Sequence, residues 1–231
     1  MGRSERAVYR AFTATRHSGE MRLALLVLAD LALSASAAWP ASLIVTVRDQ
    51  DGRPVADAVA TLKSLDAAAP AGPIRFAWPM TVDQRNIRFD PFVLVAPVGA
   101  EVSFPNRDKV RHHVYSFSPA KTFQLKLYGR DESRAVTFDR AGVVPLGCNI
   151  HDQMIGFVDV VDTPWAAKTD AAGEAALQNV PAGRAVLTIW RPYMKSPRNQ
   201  MAINVTVPSA GVARQAVSVV IGPAPARGGH L

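Results

Sequence analysis

One cysteine, Cys148, occurs in 231 residues. An intramolecular disulfide framework and any multi-cysteine zinc or iron–sulfur site are therefore excluded. Charge is sparse, with Asp, Glu, Lys and Arg at 19%. Lys and Arg form no run and are not interleaved with aromatics, so no nucleic-acid-binding face is indicated. Aromatics are few, at 7%. The longest leader-like apolar run falls short of the roughly 20 residues that cross a bilayer. What is present points elsewhere. Hydrophobic residues at 48% exclude a wholly disordered chain, and 17 Pro with 15 Gly suit a β protein with many turns.

The first 37 residues read as a secretory signal. Leu23–Leu33 is a short apolar run behind Arg16 and Arg22, and Ala35-Ser36-Ala37 fits the small-x-small cleavage pattern. The competing reading is a buried amphipathic helix. Cleavage near Ala37 removes Arg3, Arg6, Arg10, Arg16 and Arg22 with Glu5, Glu20 and Asp30, lowering the formal charge from +7 to +5. The expected location is then periplasmic or secreted. A modest basic excess serves solubility or steers the protein toward an acidic partner.

The remaining chain reads as strands and turns. Ser42–Val47 alternates, turns through Asp51-Gly52-Arg53-Pro54, and continues at Val59–Leu62, which predicts a hairpin. Ala67–Pro73 has linker composition. Strands are expected at Phe92–Pro97, Glu101–Phe104, His112–Phe117, Ala135–Phe138, Val143–Leu146 and Ile155–Val161. Others follow at Ala175–Leu177, Ala185–Trp190, Asn204–Val207 and Ala216–Ile221, between turns at Thr169–Gly173 and Pro181–Gly183. Many short strands without helical periodicity argue for antiparallel sandwiches. Pro223–Leu231 has the composition of a disordered tail. Trp190 and Tyr193 read as core aromatics rather than ligand contacts.

The chemistry radiates from Cys148. The segment Gly147-Cys148-Asn149-Ile150-His151-Asp152-Gln153-Met154 places a thiol, an imidazole and a thioether in one tight loop. These are soft or borderline ligands, suited to copper and not to magnesium or calcium. One more imidazole completes a trigonal His₂Cys set with a weak axial Met, the arrangement of blue-copper electron-transfer sites. His112 and His113 are the candidates, because His17 lies in the leader and His230 in the tail. Strand alternation groups His112 with Val114 and turns His113 the other way. Two alternatives use the same residues: a buried structural cysteine beside an unrelated His and Met, and a catalytic Cys–His pair.

Phe104-Pro105-Asn106 through His112-His113-Val114 resembles the N…H-x-V strand of cupredoxins. Thr137–Gly142, the Cys148–Met154 loop and Gly156–Val160 resemble the carboxy-terminal half of that fold. The C-x₂-H-x₂-M loop has the short form seen in amicyanin. The wording HHVYSFS…LGCNIHDQM is similar to that of plastocyanin-like proteins of the methylamine utilization type. The resemblance covers about 77–161 and selects His112, with Asn106 six residues before it and Val114 two after. It implies a ligand set of His112, Cys148, His151 and Met154 around one copper ion. Asn106 is then the residue that ties the ligand-bearing loops together near the sulfur. Gly147 departs from the family, many of whose members carry an aromatic before the cysteine, and this leaves the electron path open. Val45–Ala58, Thr169–Gly173 and Pro181–Gly183 resemble carboxypeptidase-regulatory-like, transthyretin-type sandwiches.

These readings define an all-β expectation: a Greek-key cupredoxin sandwich plus a small transthyretin-like sandwich. The boundaries are 1–37 for the signal, 38–66 for the first strands of the small sandwich, and 75–162 for the cupredoxin domain. The small sandwich resumes over 163–222, and the tail is 223–231. The implied function is type 1 copper electron transfer, not substrate turnover, with no small-molecule substrate and no nucleic acid. The expected partner is a cytochrome or dehydrogenase with an acidic docking face, meeting an apolar rim of Pro145, Ile150 and Ile155. Two further classes stay open: a copper storage, delivery or sensing module, and a metal-free adhesion or scaffold sandwich.

Overall fold

The computed structural model describes residues 41–223. The leader reading and the tail from residue 224 lie outside the described residues. Between them the chain is all-β. It opens with β1 (Ala41–Arg48) and β2 (Val59–Ser64). A middle group follows: β3 (Asp83–Gln84), β4 (Phe89–Asp90), β5 (Val93–Pro97), β6 (Ala100–Pro105), β7 (His112–Ser118), β8 (Lys121–Tyr128), β9 (Ser133–Phe138), β10 (Gly142–Cys148) and β11 (Ile155–Val161). The last strands are β12 (Ala166–Lys168), β13 (Glu174–Val180), β14 (Gly183–Trp190), β15 (Gln200–Val207) and β16 (Val212–Ser218).

The expected β1–β2 hairpin does not form. β1 is flanked by β13, antiparallel, and by β16, parallel, whereas β2 lies between β12 and β14 in the facing sheet, ordered β12-β2-β14-β15. The reason is burial. Every second residue of β1 is buried, and Leu43, Val45 and Val47 meet Ala60, Leu62, Leu187 and Ile189 in one core. Each such fully buried Val, Leu or Ile contributes about 1.5–3 kcal/mol, so the two strands gain more packed face to face than paired edge to edge. Val55 donates its amide to Val47 O, and the chain then crosses to the second sheet. The turn after β12 is fixed by Asp170, whose carboxylate accepts the amides of Ala172 and Glu174. Gly173 there has φ +76, and a Cβ on it would stand 2.5 Å from Val47 O.

The middle group builds a five-stranded sheet, β5-β11-β10-β7-β8, with β6–β9 pairing separately. Its core holds Phe104, Val114, Tyr128, Phe138, Val144, Leu146 and Val158 together with Cys148 and Met154. β8 is absent from the expected strands, yet Phe123 and Leu125 alternate with Gln124 and Lys126 and pack on this core. A third cluster joins the two halves: Val59 and Trp190 from one, Val93, Val95 and Val161 from the other, with Phe157 edge-on to Trp190 at 5.6 Å.

One polar residue interrupts this seam. Asp159 on β11 is 7% exposed, and burial alone pushes its carboxyl up to about 7 from 3.8. A folded-state value above the unfolded one stabilises fully below the unfolded value and is lost as pH rises through the folded value. Asp159→Asn should therefore gain stability relative to wild type, by a few kcal/mol, between pH 4 and pH 8. Chemical denaturation of both proteins at the two pH values measures the change, and a constant difference contradicts it.

Candidate metal centre

β7 and β10 are neighbours, and Cys148 pairs with Val114 at the end of β10. His112, Val114 and Ser116 are buried, while His113, Tyr115 and Phe117 face the other way. The alternation thus carries the His112 ring into the layer that holds Cys148. Beyond Cys148 the chain curls: the Asn149 amide donates to His113 O at 3.2 Å, and the Met154 amide donates to His151 O at 2.8 Å. This turn returns His151 over the sulfur.

The result is a compact donor set. Cys148 Sγ lies 3.7 Å from His112 Nδ1 and 3.6 Å from His151 Nδ1. All three donor atoms fall within 4.8 Å of one another. Bonds of about 2.3 Å to sulfur and about 2.0 Å to nitrogen, at tetrahedral to trigonal angles, separate two ligand atoms of one ion by about 3.6 Å. The observed spacing fits a single metal ion. His112 and Cys148 are buried, and His151 is half-buried with its ring 5.0 Å from that of His112. Met154, wholly buried, belongs to the same core cluster as Cys148.

Electrostatics favour the thiolate. Burial opposes it, but hydrogen bonds from His112, from the backbone amides of His113 and Ile150, and from His151 outweigh that cost and bring Cys148 down to about 6. Burial also opposes charge on His112, yet its hydrogen bonds with Cys148 and Asp108 raise its basicity.

Asp108 is the residue the sequence reading missed. Its Oδ2 accepts a hydrogen bond from His112 Nε2 at 2.9 Å, which leaves Nδ1 facing the sulfur. The carboxylate also accepts the amides of Asn86 and Ile87, at 2.6 and 2.9 Å. A carboxylate behind a ligating imidazole fixes its orientation and raises its donor strength. The available signal was the i, i+4 spacing of Asp108 and His112. Asn106 acts one step further back. Its side chain accepts the Asp108 amide at 2.8 Å and donates to Val110 O and Tyr128 O. Its side-chain hydrogen bonds go to its own loop and to β8, whereas the resemblance implied a tie near the sulfur.

Gly147 also finds its explanation here. It pairs with Tyr115, and a Cβ on it would stand 2.7 Å from Tyr115 Cζ. The aromatic ring missing before the cysteine is supplied from the adjacent strand. Tyr115 in turn lies 5.2 Å from Phe117, which is 68% exposed. Of the expected rim, Ile150 and Ile155 are exposed at 47% and 38%, and Pro145 is exposed as well.

Three solved structures illustrate what the chain is similar to. A copper-containing nitrite reductase from Thermus scotoductus is 27% identical over 39% of this chain, with a TM-score of 0.35; the chain spans only 25% of that protein's length. A reduced mutant of amicyanin is 22% identical over 44% of this chain and 98% of its own, with a TM-score of 0.34. A purple cupredoxin from Nitrosopumilus maritimus is 24% identical over 35% of this chain and 96% of its own, with a TM-score of 0.32. No protein-family model matches, and no curated protein matches.

Two outcomes are expected. Asp108→Ala should lower affinity for copper by about 10–100-fold, measured by competition with a chelator of known affinity. Gly147→Ala should cost about 1–3 kcal/mol of stability through crowding against Tyr115. That penalty should shrink in a Tyr115→Ala background, and a double-mutant cycle by denaturant unfolding reads the coupling.

Proposed function

We propose that this protein is an exported cupredoxin that carries single electrons on one type 1 copper ion. The observation that carries the reading is the pair of His Nδ1 atoms at 3.6 and 3.7 Å from a lone cysteine sulfur. Cys148 as thiolate, with His112, His151 and Met154, would hold the ion. A thioether in the fourth place favours copper over zinc, whose fourth ligand is ordinarily nitrogen, oxygen or thiolate. Bound copper would supply the one-electron couple. The chain's own part is to hold the donors in place and keep water from the buried side.

In this reading residues 75–162 are the cupredoxin domain. The remaining strands form a carboxypeptidase-regulatory-like sandwich that supports it. His151, half-buried between Ile150 and the core, is the edge through which electrons pass to a docked redox protein. The net charge of +5 on the exported chain favours a cytochrome or dehydrogenase with an acidic face. The likeness to plastocyanin-like proteins of the methylamine utilization type supports the same class of partner.

Addition of Cu(II) to the purified protein should produce an intense visible thiolate-to-copper absorption at one equivalent. It should bleach with ascorbate, return with ferricyanide, and be absent in Cys148→Ala. Copper that binds without reversible reduction points instead to storage or delivery. A protein that binds no copper would sink both metal readings.

A further inference from the structure

The seam between the two halves borders an open cavity of about 370 Å³. Thr61, Thr188 and Trp190 line it from the β2–β14 face, and Asp159 lines it from β11. Gln200, the first residue of β15 and the partner of Trp190, and Arg198, in the turn before β15, also border it. Its volume is that of a small-molecule site. The cavity is not part of the metal centre, since none of these residues is a donor or adjoins one in sequence.

Asp159 makes this space more than a packing fault. It is 7% exposed, and among the described residues no hydrogen bond or ion pair reaches its carboxylate. Its cross-strand partners are Val143 and Val95, and it is followed by Val160 and Val161. The sheet therefore offers it nothing. A buried carboxylate without a partner costs several kcal/mol, and an apolar residue there would pack without that cost. Burial is the sole cause of its raised pKa, so Arg198 does not neutralise it. Arg198 is exposed, has a left-handed backbone at φ +56, and makes no ion pair among the described residues. The cavity thus has an anionic inner end and a cationic outer end, separated from each other.

A hard metal ion does not fit, because one carboxylate and two hydroxyls fall short of the six to eight oxygens that calcium takes. The arrangement suits a molecule with opposite charges at its two ends. We propose that the seam cavity binds a small amino-acid-like zwitterion, with its ammonium on Asp159 and its anionic end toward Arg198. The hydroxyls of Thr61 and Thr188 accept the remaining ammonium hydrogens, and the indole of Trp190 covers the chain between the charges.

The test is calorimetric titration of the full exported chain at pH 8 with 4-aminobutyrate and glycine, using butylamine and butyrate as single-charge comparisons. At least one zwitterion should bind saturably, and it should shift the indole N–H resonance of Trp190 in nitrogen-labelled protein. Asp159→Asn should weaken it at least tenfold while keeping a cooperative thermal transition, and Arg198→Ala should weaken the zwitterion but not butylamine. Thr188→Val, which leaves both charges in place, should weaken binding less than Asp159→Asn. Absence of saturable binding by either zwitterion would overturn the proposal, as would undiminished binding in Asp159→Asn. Butylamine binding as tightly as the zwitterions, with Arg198→Ala without effect, would also overturn it in favour of a plain amine site.

Discussion

The hydrogen bond between His112 Nε2 and Asp108 decides which nitrogen His112 turns toward Cys148, and much of the surrounding structure serves to hold it. Asp108 is steadied by the Asn106 side chain and by two amides from the 86–87 turn. Asn106 is anchored in turn to the carbonyl of Tyr128 at the end of β8. The Tyr128 hydroxyl donates to Phe104 O, and Gln84 bonds to both that hydroxyl and the same carbonyl. The carboxylate itself is reached by His112 and by the 86–87 turn, and the other bonds steady the loop that carries it. A buried network of this kind is rigid when its members are satisfied and costly when one is removed. The imidazole's orientation is therefore a property of the fold and not of any single loop.

How much of this the sequence carried depends on the range of the cause. The C-x₂-H-x₂-M loop was legible because its three donors lie within seven residues, and a single tight turn brings them together. His112 was legible through the family resemblance, with Asn106 six residues before it and Val114 two after, while strand alternation set it and His113 on opposite faces. Asp108 was hidden because its significance depends on the chain between it and His112 folding back, and an i, i+4 spacing outside a helix does not predict contact. Tyr115 at Gly147 was hidden for a similar reason: cross-strand register decides which side chain fills the space a glycine leaves. The missing β1–β2 hairpin shows the opposite error. A turn sequence between two apolar segments was read as edge pairing, when the apolar faces themselves called for packing across a core. β8 had the alternating pattern all along, and the core contacts of Phe123 and Leu125 give that pattern its meaning.

The seam obeys a different logic from the metal centre. At the centre His112, Asp108 and Asn106 each have hydrogen-bond partners, and those partners explain the geometry. At the seam, Val59, Val93, Val95, Val161 and Trp190 would suffice to join the two halves by apolar contact alone. Asp159 weakens that junction while lying on the strand that leads directly from the metal loop into the seam, since β11 begins at Ile155, one residue after Met154. The two features thus share a rigid element without sharing a residue.

That shared strand bears on electron transfer. A carrier that changes oxidation state needs donors whose positions have causes other than the ion itself, so that little rearranges when the charge changes. Each donor here has such a cause. His112 is held from behind by Asp108, and Cys148 is fixed by the pairing of β10 with β7. His151 is held by the Met154 amide on its carbonyl, and Met154 is locked in the core as β11 begins. Because β11 is clamped between β10 and β5 along its length, the loop is pinned at both ends by sheet. A flexible loop could bind a soft metal as tightly, but it would follow the preferred geometry of each oxidation state. The construction seen here resists that, and this rigidity is what supports the proposed electron carrier over storage or delivery.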